Sequence, residues 1–323
     1  MNARFRNLRW LLAVVAVIAV IAIILVVVLL RQLLTPSEPP QGGAPGSSSS
    51  APARPSTQPA DCPDVLTLVI PGTWESAPGD DPIHPRSNPR SLLLRVSSAL
   101  QNTYSSDRTT VYTVPYLAQF RNPTNLTDRQ ADYNTSRTQG YKRAAGKIIA
   151  THKHCPITRY VIMGFSQGAV IGGDLASAIG NGRGVLPAAD QDLVLGVGLI
   201  ADGRRKDDGQ RNVGPNPPGV GAEISLSGMG TLVPGMSMTG PRTGGFGTLA
   251  DRVVSICAPG DLICDAPTVT NPIGAVNQLS RALSNPVHAL YATTRYWSIG
   301  DGVTSTQWLF GWARGIIADA PHV

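Results

Sequence analysis

Residues 160–169 read Y-V-I-M-G-F-S-Q-G-A, and their order decides the fold. Four mostly aliphatic residues run into G-x-S-x-G (Gly164, Ser166, Gly168), and residues 167–179 continue with helical spacing. In a chain with 34 glycines the bare pattern can arise by chance. A strand, the pattern and a helix in immediate succession say more. They describe a turn so sharp that side chains two before and two after the serine would strike neighbouring elements, so both positions are glycine. Such a turn lifts Ser166 Oγ clear of the sheet, and the helix N-terminus with the Gln167 N–H favours a developing oxyanion. The plainer reading is a turn serine that caps a helix.

Working outward, residues 65–70, 110–114, 193–200 and 252–256 are further short, β-branched, nearly continuous apolar runs, the pattern of strands buried on both faces. Segments 89–101 and 132–152 have helical spacing between them, and 273–290 and 303–317 follow the last strand. The alternation predicts right-handed crossovers and a three-layer α/β sandwich around a central, mainly parallel five-stranded sheet, the arrangement of an α/β-hydrolase. Chemistry in such a sheet sits at the carboxyl ends of the strands. Residues 203–247 interrupt the pattern with a stretch dense in Gly and Pro that carries Leu226, Met229, Leu232, Val233, Met236, Met238 and Phe246. Long excursions of this kind are often functional. Two readings stay open: these side chains cover an acyl chain as a lid, or they pin the excursion to the surface.

A serine hydroxyl is a poor nucleophile without a base, so an imidazole oriented by a carboxylate should follow in the order Ser, Asp, His. After Ser166 the sequence has two histidines, His288 and the penultimate His322. His288 is the expected base. For the carboxylate, Asp261 directly follows the strand at 252–256 and lies between Cys257 and Cys264. A disulfide across that short loop would fix it and contribute on the order of 2.5 kcal/mol. Asp265 and Asp301 are rivals, one outside the loop and one after His288. His84, His152 and His154 precede the nucleophile and are expected on surface loops.

The N-terminus bears on compartment. Residues 10–30 form an apolar run, preceded by Arg4, Arg6 and Arg9 and followed by Arg31. At about 1.5 Å per residue it is long enough for a bilayer core of about 30 Å, and the arginines place residues 1–9 in the cytoplasm. A cleaved signal peptide would have a shorter apolar region and a small-residue site. Residues 31–60, rich in Pro, Ser and Gly, read as a tether, and the 263 residues from Asp61 onward as one α/β domain. The expectation is a single-pass cell-membrane protein with its catalytic domain extracytoplasmic, in the periplasm or cell wall. Removing the four arginines that flank the run from 27 basic residues leaves 23, against 21 acidic ones. The domain is nearly neutral, with no electrostatic footprint for nucleic acid. Arg204, Arg205 and Lys206, followed by Asp207 and Asp208, read as a solvated loop. All four cysteines, Cys62, Cys155, Cys257 and Cys264, lie beyond the run, where two disulfides are the default and three connectivities are possible. Zinc-site spacing is missing.

Three local patterns resemble the cutinases and cutinase-like serine esterases: C-P-I-T-R-Y-V-I-M-G-F-S-Q-G-A at 155–169, C-A-P-G-D-L-I-C at 257–264, and Cys62 just before the first strand. The resemblance covers roughly residue 61 to the C-terminus. It implies disulfides Cys62 to Cys155 and Cys257 to Cys264, the triad Ser166, Asp261 and His288, and an oxyanion hole from Gln167 and Thr73, the latter within P-G-T-W-E at 71–75. The 27 residues from Asp261 to His288 and the 203–247 insertion depart from the small fungal members. The anchor and tether are similar to the membrane-anchored cutinase-like lipases of mycobacteria and their relatives, which implies phospholipase and thioesterase chemistry in envelope lipid metabolism. The expected reaction is acyl transfer from an ester or thioester through Ser166, without metal or organic cofactor, on a lipid or acyl-ester partner. Two other readings remain open: an envelope acyltransferase in which a sugar or glycolipid hydroxyl replaces water, and a scaffold that binds wall polymer or protein without turnover.

Overall fold

The computed structural model describes residues 54–323, apart from 123, 124, 126, 228–233, 270–273, 275, 276, 279, 280 and 283. The anchor at 10–30 and most of the tether lie outside the described residues, as do Met229, Leu232 and Val233. Among the described residues no helix is long and apolar enough to cross a membrane. Residues 54–323 form one compact unit, in which Arg54 bonds Asp190 and Asp192 and Gln58 bonds Thr158 and the Ile157 N–H.

The expected strands form as β1 (Val65–Ile70), β2 (Thr109–Thr113), β3 (Arg159–Phe165), β4 (Val194–Ile200) and β6 (Val253–Ile256). A sixth, β5 (Arg211–Asn212), corrects the strand count from five. The sheet order is β2-β1-β3-β4-β6-β5, and every described pair is parallel. β1, β3, β4 and β6 are buried almost throughout, whereas edge strand β2 alternates buried and half-buried residues. β5 was illegible because two polar residues carry no period; it pairs through backbone alone, Arg211 beside Val254 and Asn212 beside Ser255.

Among the described residues the four longest helices make the outer layers: α1 (Leu94–Thr103), α2 (Tyr133–His154), α3 (Gln167–Gly180) and α4 (Ser305–Asp319). Alternation along β1 sorts them. Val65 and Val69 face a core shared with Leu93 just before α1, Val96 and Leu100 of α1, and Leu309 and Ala313 of α4. Leu66, Leu68 and Ile70 face the other core, with Ala144 and Ile148 of α2 and Ile171 and Leu175 of α3. Asp132 starts α2 by accepting the Thr135 N–H at 2.9 Å, and Thr304 with Gln307 makes a capping box on α4. α1 begins at Leu94 rather than 89, because Ser91 and Leu92 are held in a turn by the Glu75 carboxylate. Of the helix expected at 273–290, residues 274, 277, 278, 281 and 282 are helical and 284–290 are turns and coil. The correction there is physical: Asn285 donates to the Gly260 carbonyl at 2.7 Å and accepts the Val287 N–H at 2.9 Å, which folds the chain around His288.

Two further expectations are corrected. His152 and His154 end α2 instead of lying on loops, with His152 against Asp190 and His154 against Asp61. Arg204 and Arg205 are no solvated pair. Arg204 bonds Asp174 at 2.7 Å, and Arg205, 1% exposed, donates to the carbonyls of Gly219, Pro217 and Cys264.

Candidate active site

β3 runs through Phe165 and the chain reverses at Ser166, whose φ of 55° and ψ of −121° lie outside the ordinary regions for a residue with a side chain. The two flanking glycines make that turn possible. A Cβ on Gly164 would stand 2.3 Å from the Gly168 carbonyl oxygen, and one on Gly168 2.0 Å from that of Ile70. Ser166, 8% exposed, is thereby lifted to the carboxyl edge of the sheet between β1 and β4.

His288 Nε2 lies 2.8 Å from Ser166 Oγ, and His288 Nδ1 lies 2.9 and 3.1 Å from the two carboxylate oxygens of Asp261. These three residues, far apart in sequence, form one hydrogen-bonded chain. Asp261 is fully buried in the loop closed by the Cys257–Cys264 disulfide; the second disulfide joins Cys62 and Cys155. Both carboxylate oxygens are engaged: the Ile263 N–H donates to one at 3.0 Å and the Tyr291 hydroxyl to the other at 2.8 Å. Burial alone would raise the Asp261 carboxyl, but His288, the Ile263 N–H and the Tyr291 hydroxyl outweigh it and hold it below the usual carboxylate range. Burial alone would lower His288; the charge and hydrogen bond of Asp261, with the charge of Glu75, carry it above the ordinary imidazole value. Phe165 stacks on the His288 ring with centroids 5.1 Å apart.

The rivals fall elsewhere. Asp265 accepts the N–H groups of Gly219 and Gly260, Asp301 is exposed, and His322 pairs with Asp64 at 2.7 Å.

Thr73 and Gln167 line the same cavity as Ser166, and their N–H groups have no other hydrogen bond among the described residues. Gln167 is fixed by Ser136, which donates to Oε1 at 2.8 Å, and by the Gln119 carbonyl, which accepts from Nε2. The loop bearing Thr73 is fixed by Glu75, whose carboxylate accepts the Gly72 N–H at 2.9 Å, the Leu92 N–H at 2.8 Å and the Ser91 hydroxyl at 3.2 Å. Burial raises the Glu75 carboxyl, and these donors together with His288 only partly offset it. Trp74, with φ of 64°, donates its N–H to the Ala118 carbonyl. Sequence reasoning missed Glu75, Phe165 and Tyr291. Tyr291, three residues after His288, was the most readable of them, but an aromatic there looks like core.

The cavity has a volume of about 570 Å³ and a mainly apolar wall that includes Val170, Leu226, Met238 and Ile263. From the long excursion, Leu226 and Met238 line the cavity, whereas Met236 and Phe246 are buried side chains that pin it to the domain.

A parallel sheet between two helical layers, with a nucleophile elbow at its carboxyl edge, is the α/β-hydrolase fold. Within it the chain belongs to the cutinase family of carboxylic-ester hydrolases: the Cutinase family model matches residues 90–282. A carboxylesterase Culp6 homolog of Corynebacterium glutamicum is 46% identical over 272 residues, 82% of this chain and 84% of that one. Among solved structures, an acetylxylan esterase is 18% identical with a TM-score of 0.44, covering 69% of this chain and 93% of its own. A cutinase-like protein from Cryptococcus sp. is also 18% identical, with a TM-score of 0.37, covering 72% and 96%.

Proposed function

We propose that the chain is a serine esterase that hydrolyses acyl esters, phospholipid esters among them, and acyl thioesters through an acyl-enzyme on Ser166. The observation that carries this reading is the unbroken chain from Ser166 Oγ through His288 to buried Asp261, opening on a mainly apolar cavity. His288 Nε2 takes the Ser166 proton as Oγ attacks the acyl carbonyl, and Asp261 holds the ring and balances its charge. The Gln167 and Thr73 N–H groups receive the oxyanion, His288 returns the proton to the departing alcohol or thiol, and water repeats the sequence to free the acid. The name carboxylesterase on the Corynebacterium relative supports the same reaction.

The site of action in this reading is the outer face of the cell membrane, with residues 10–30 as anchor and cell-envelope lipids as substrates; the apolar run and its preceding arginines support it. Labelling of the full chain with a fluorophosphonate and hydrolysis of p-nitrophenyl esters test the chemistry. Both should vanish in Ser166→Ala, and undiminished turnover in that variant overturns the proposal. Extraction of the native protein from membranes by alkaline carbonate would overturn the anchor.

A further inference from the structure

The cavity around Ser166 has two unlike sides. From the sheet face that carries α2 and α3 come Tyr133 and Val170, joined by Leu226 and Met238 of the long excursion. From the face that carries α1 come Arg90, in the turn before that helix, and Arg95, in its first turn. Both arginines are exposed, and neither guanidinium has a carboxylate, hydrogen-bond or ring partner among the described residues. Elsewhere the arginines near the site are committed: Arg137, Arg204 and Arg242 all hold Asp174.

The carboxylates of the cavity are committed as well. Glu75 accepts the Gly72 and Leu92 N–H groups and the Ser91 hydroxyl. Glu223 is held by Tyr133, Arg137 and Thr239. The first turn of α1 has no acidic residue to offset the positive end of its dipole. The described wall thus offers two uncommitted positive charges and no uncommitted negative one, on a domain that is otherwise nearly neutral. Their position suits an anion attached to the alcohol or thiol part of a substrate whose acyl chain lies against Leu226 and Met238. Guanidinium forks match phosphate oxygens in geometry as well as charge.

We infer that Arg90 and Arg95 form a phosphate-recognition site on the leaving-group side of the cavity, so that the preferred acyl donors carry a phosphate. The inference rests on the esterase reading of Ser166. The phosphate belongs either to a lipid headgroup or to a soluble acyl carrier, and the test separates them. kcat/KM of the full chain in neutral detergent is measured on four hexanoyl donors: dihexanoylphosphatidylglycerol, hexanoyl-coenzyme A, dihexanoylglycerol and p-nitrophenyl hexanoate. In Arg90→Gln/Arg95→Gln the ratio of phosphate-bearing to neutral activity should fall about tenfold, the scale of charge-assisted contacts discounted for exposure. Arg90→Lys/Arg95→Lys should keep most of that ratio, and added salt should erode it in the native chain but not in the glutamine variant. A fall confined to the phospholipid names the headgroup; one confined to the coenzyme A ester names the carrier. An unchanged ratio, or equal loss on all four donors, overturns the inference and leaves the esterase standing. A native chain inert on every donor removes both.

Discussion

Replacing Tyr291 with phenylalanine deletes one oxygen, and that oxygen joins two groups that cannot turn to water. Its hydroxyl donates to Asp261 at 2.8 Å and accepts the Ala258 N–H at 2.9 Å, and Tyr291 and Asp261 are 1% and 0% exposed. A hydrogen bond to a charged group contributes about 1.5–3 kcal/mol, and leaving the buried Ala258 N–H unpaired costs about 1–3 kcal/mol. Small relaxation of the loop should keep the total near the lower half of that range, about 3 kcal/mol. For a domain of this size the melting temperature should drop about 6–10 °C. The same deletion acts on the chemistry with a definite sign. The Tyr291 hydroxyl favours the charged form of Asp261, so without it the carboxylate becomes more basic and holds the His288 proton more firmly. The acid limb of kcat/KM therefore moves to higher pH. Thermal melts of the full chain and pH–rate profiles on a p-nitrophenyl ester read both effects. An unchanged melting temperature, or an acid limb displaced to lower pH, would refute the reasoning; a packing defect alone lowers stability without moving the limb.

In the native chain, activity should rise with pH through a pKa above the ordinary imidazole value, because the base must be neutral and Asp261 and Glu75 outweigh the burial of His288; a limb below that value would remove the pair from the reaction. Gly168→Ala would set a Cβ 2.0 Å from the Ile70 oxygen and 2.4 Å from that of Pro71. Both are backbone, so the strand and helix must part, at about 3 kcal/mol or more, and fluorophosphonate labelling should fail; a native denaturation midpoint would contradict this. Arg242→Met leaves Asp202 and Asp174 without a cation that bonds them at 2.6 and 2.9 Å, in a site where the Arg242 and Asp202 side chains are 4% and 3% exposed. Denaturant unfolding should show a loss of about 3–5 kcal/mol, and an unaltered midpoint would mean the network is solvated.

What could be read in the sequence was whatever has a local period or a fixed order. β1, β3, β4 and β6 are nearly continuous apolar runs because each is buried on both faces, and the elbow shows itself in Gly164 and Gly168 because two backbones meet there. Asp261 was legible through the cysteines on either side of it, and His288 through its position after Ser166. Glu75, by contrast, acts through two N–H groups and a hydroxyl, acceptor work that leaves no partner residue type to search for. Arg205 misled for the same reason. Asp207 and Asp208 looked like its solvated partners, whereas it donates mainly to backbone, to the carbonyls of Gly219, Pro217 and Cys264, and otherwise to the Asn216 side-chain oxygen. β5 has no apolar residue at all. Function written in side-chain pairs can be read along the chain; function written in backbone carbonyls and N–H groups needs the fold.

The excursion at 203–247 shows how that difference shapes the cavity. Its described part is held by charge as well as by the buried Val213, Leu226, Met236 and Phe246. Arg204 and Arg242 from the excursion and Arg137 from α2 converge on Asp174, which lies in α3, the helix that Ser166 begins. Arg242 also holds Asp202 at the end of β4, and Glu223, beside the cavity, bonds Arg137 at 3.0 Å. The wall that carries Leu226 and Met238 is therefore tied to the nucleophile helix itself. Swinging that wall outward as a lid would separate buried pairs, at several kcal/mol for each charge left alone. Substrate width at Ser166 is then a property of the closed network, and Met238 and Leu226, rather than the arginines behind them, are where acyl-chain preference can change without loosening the helix that presents the serine.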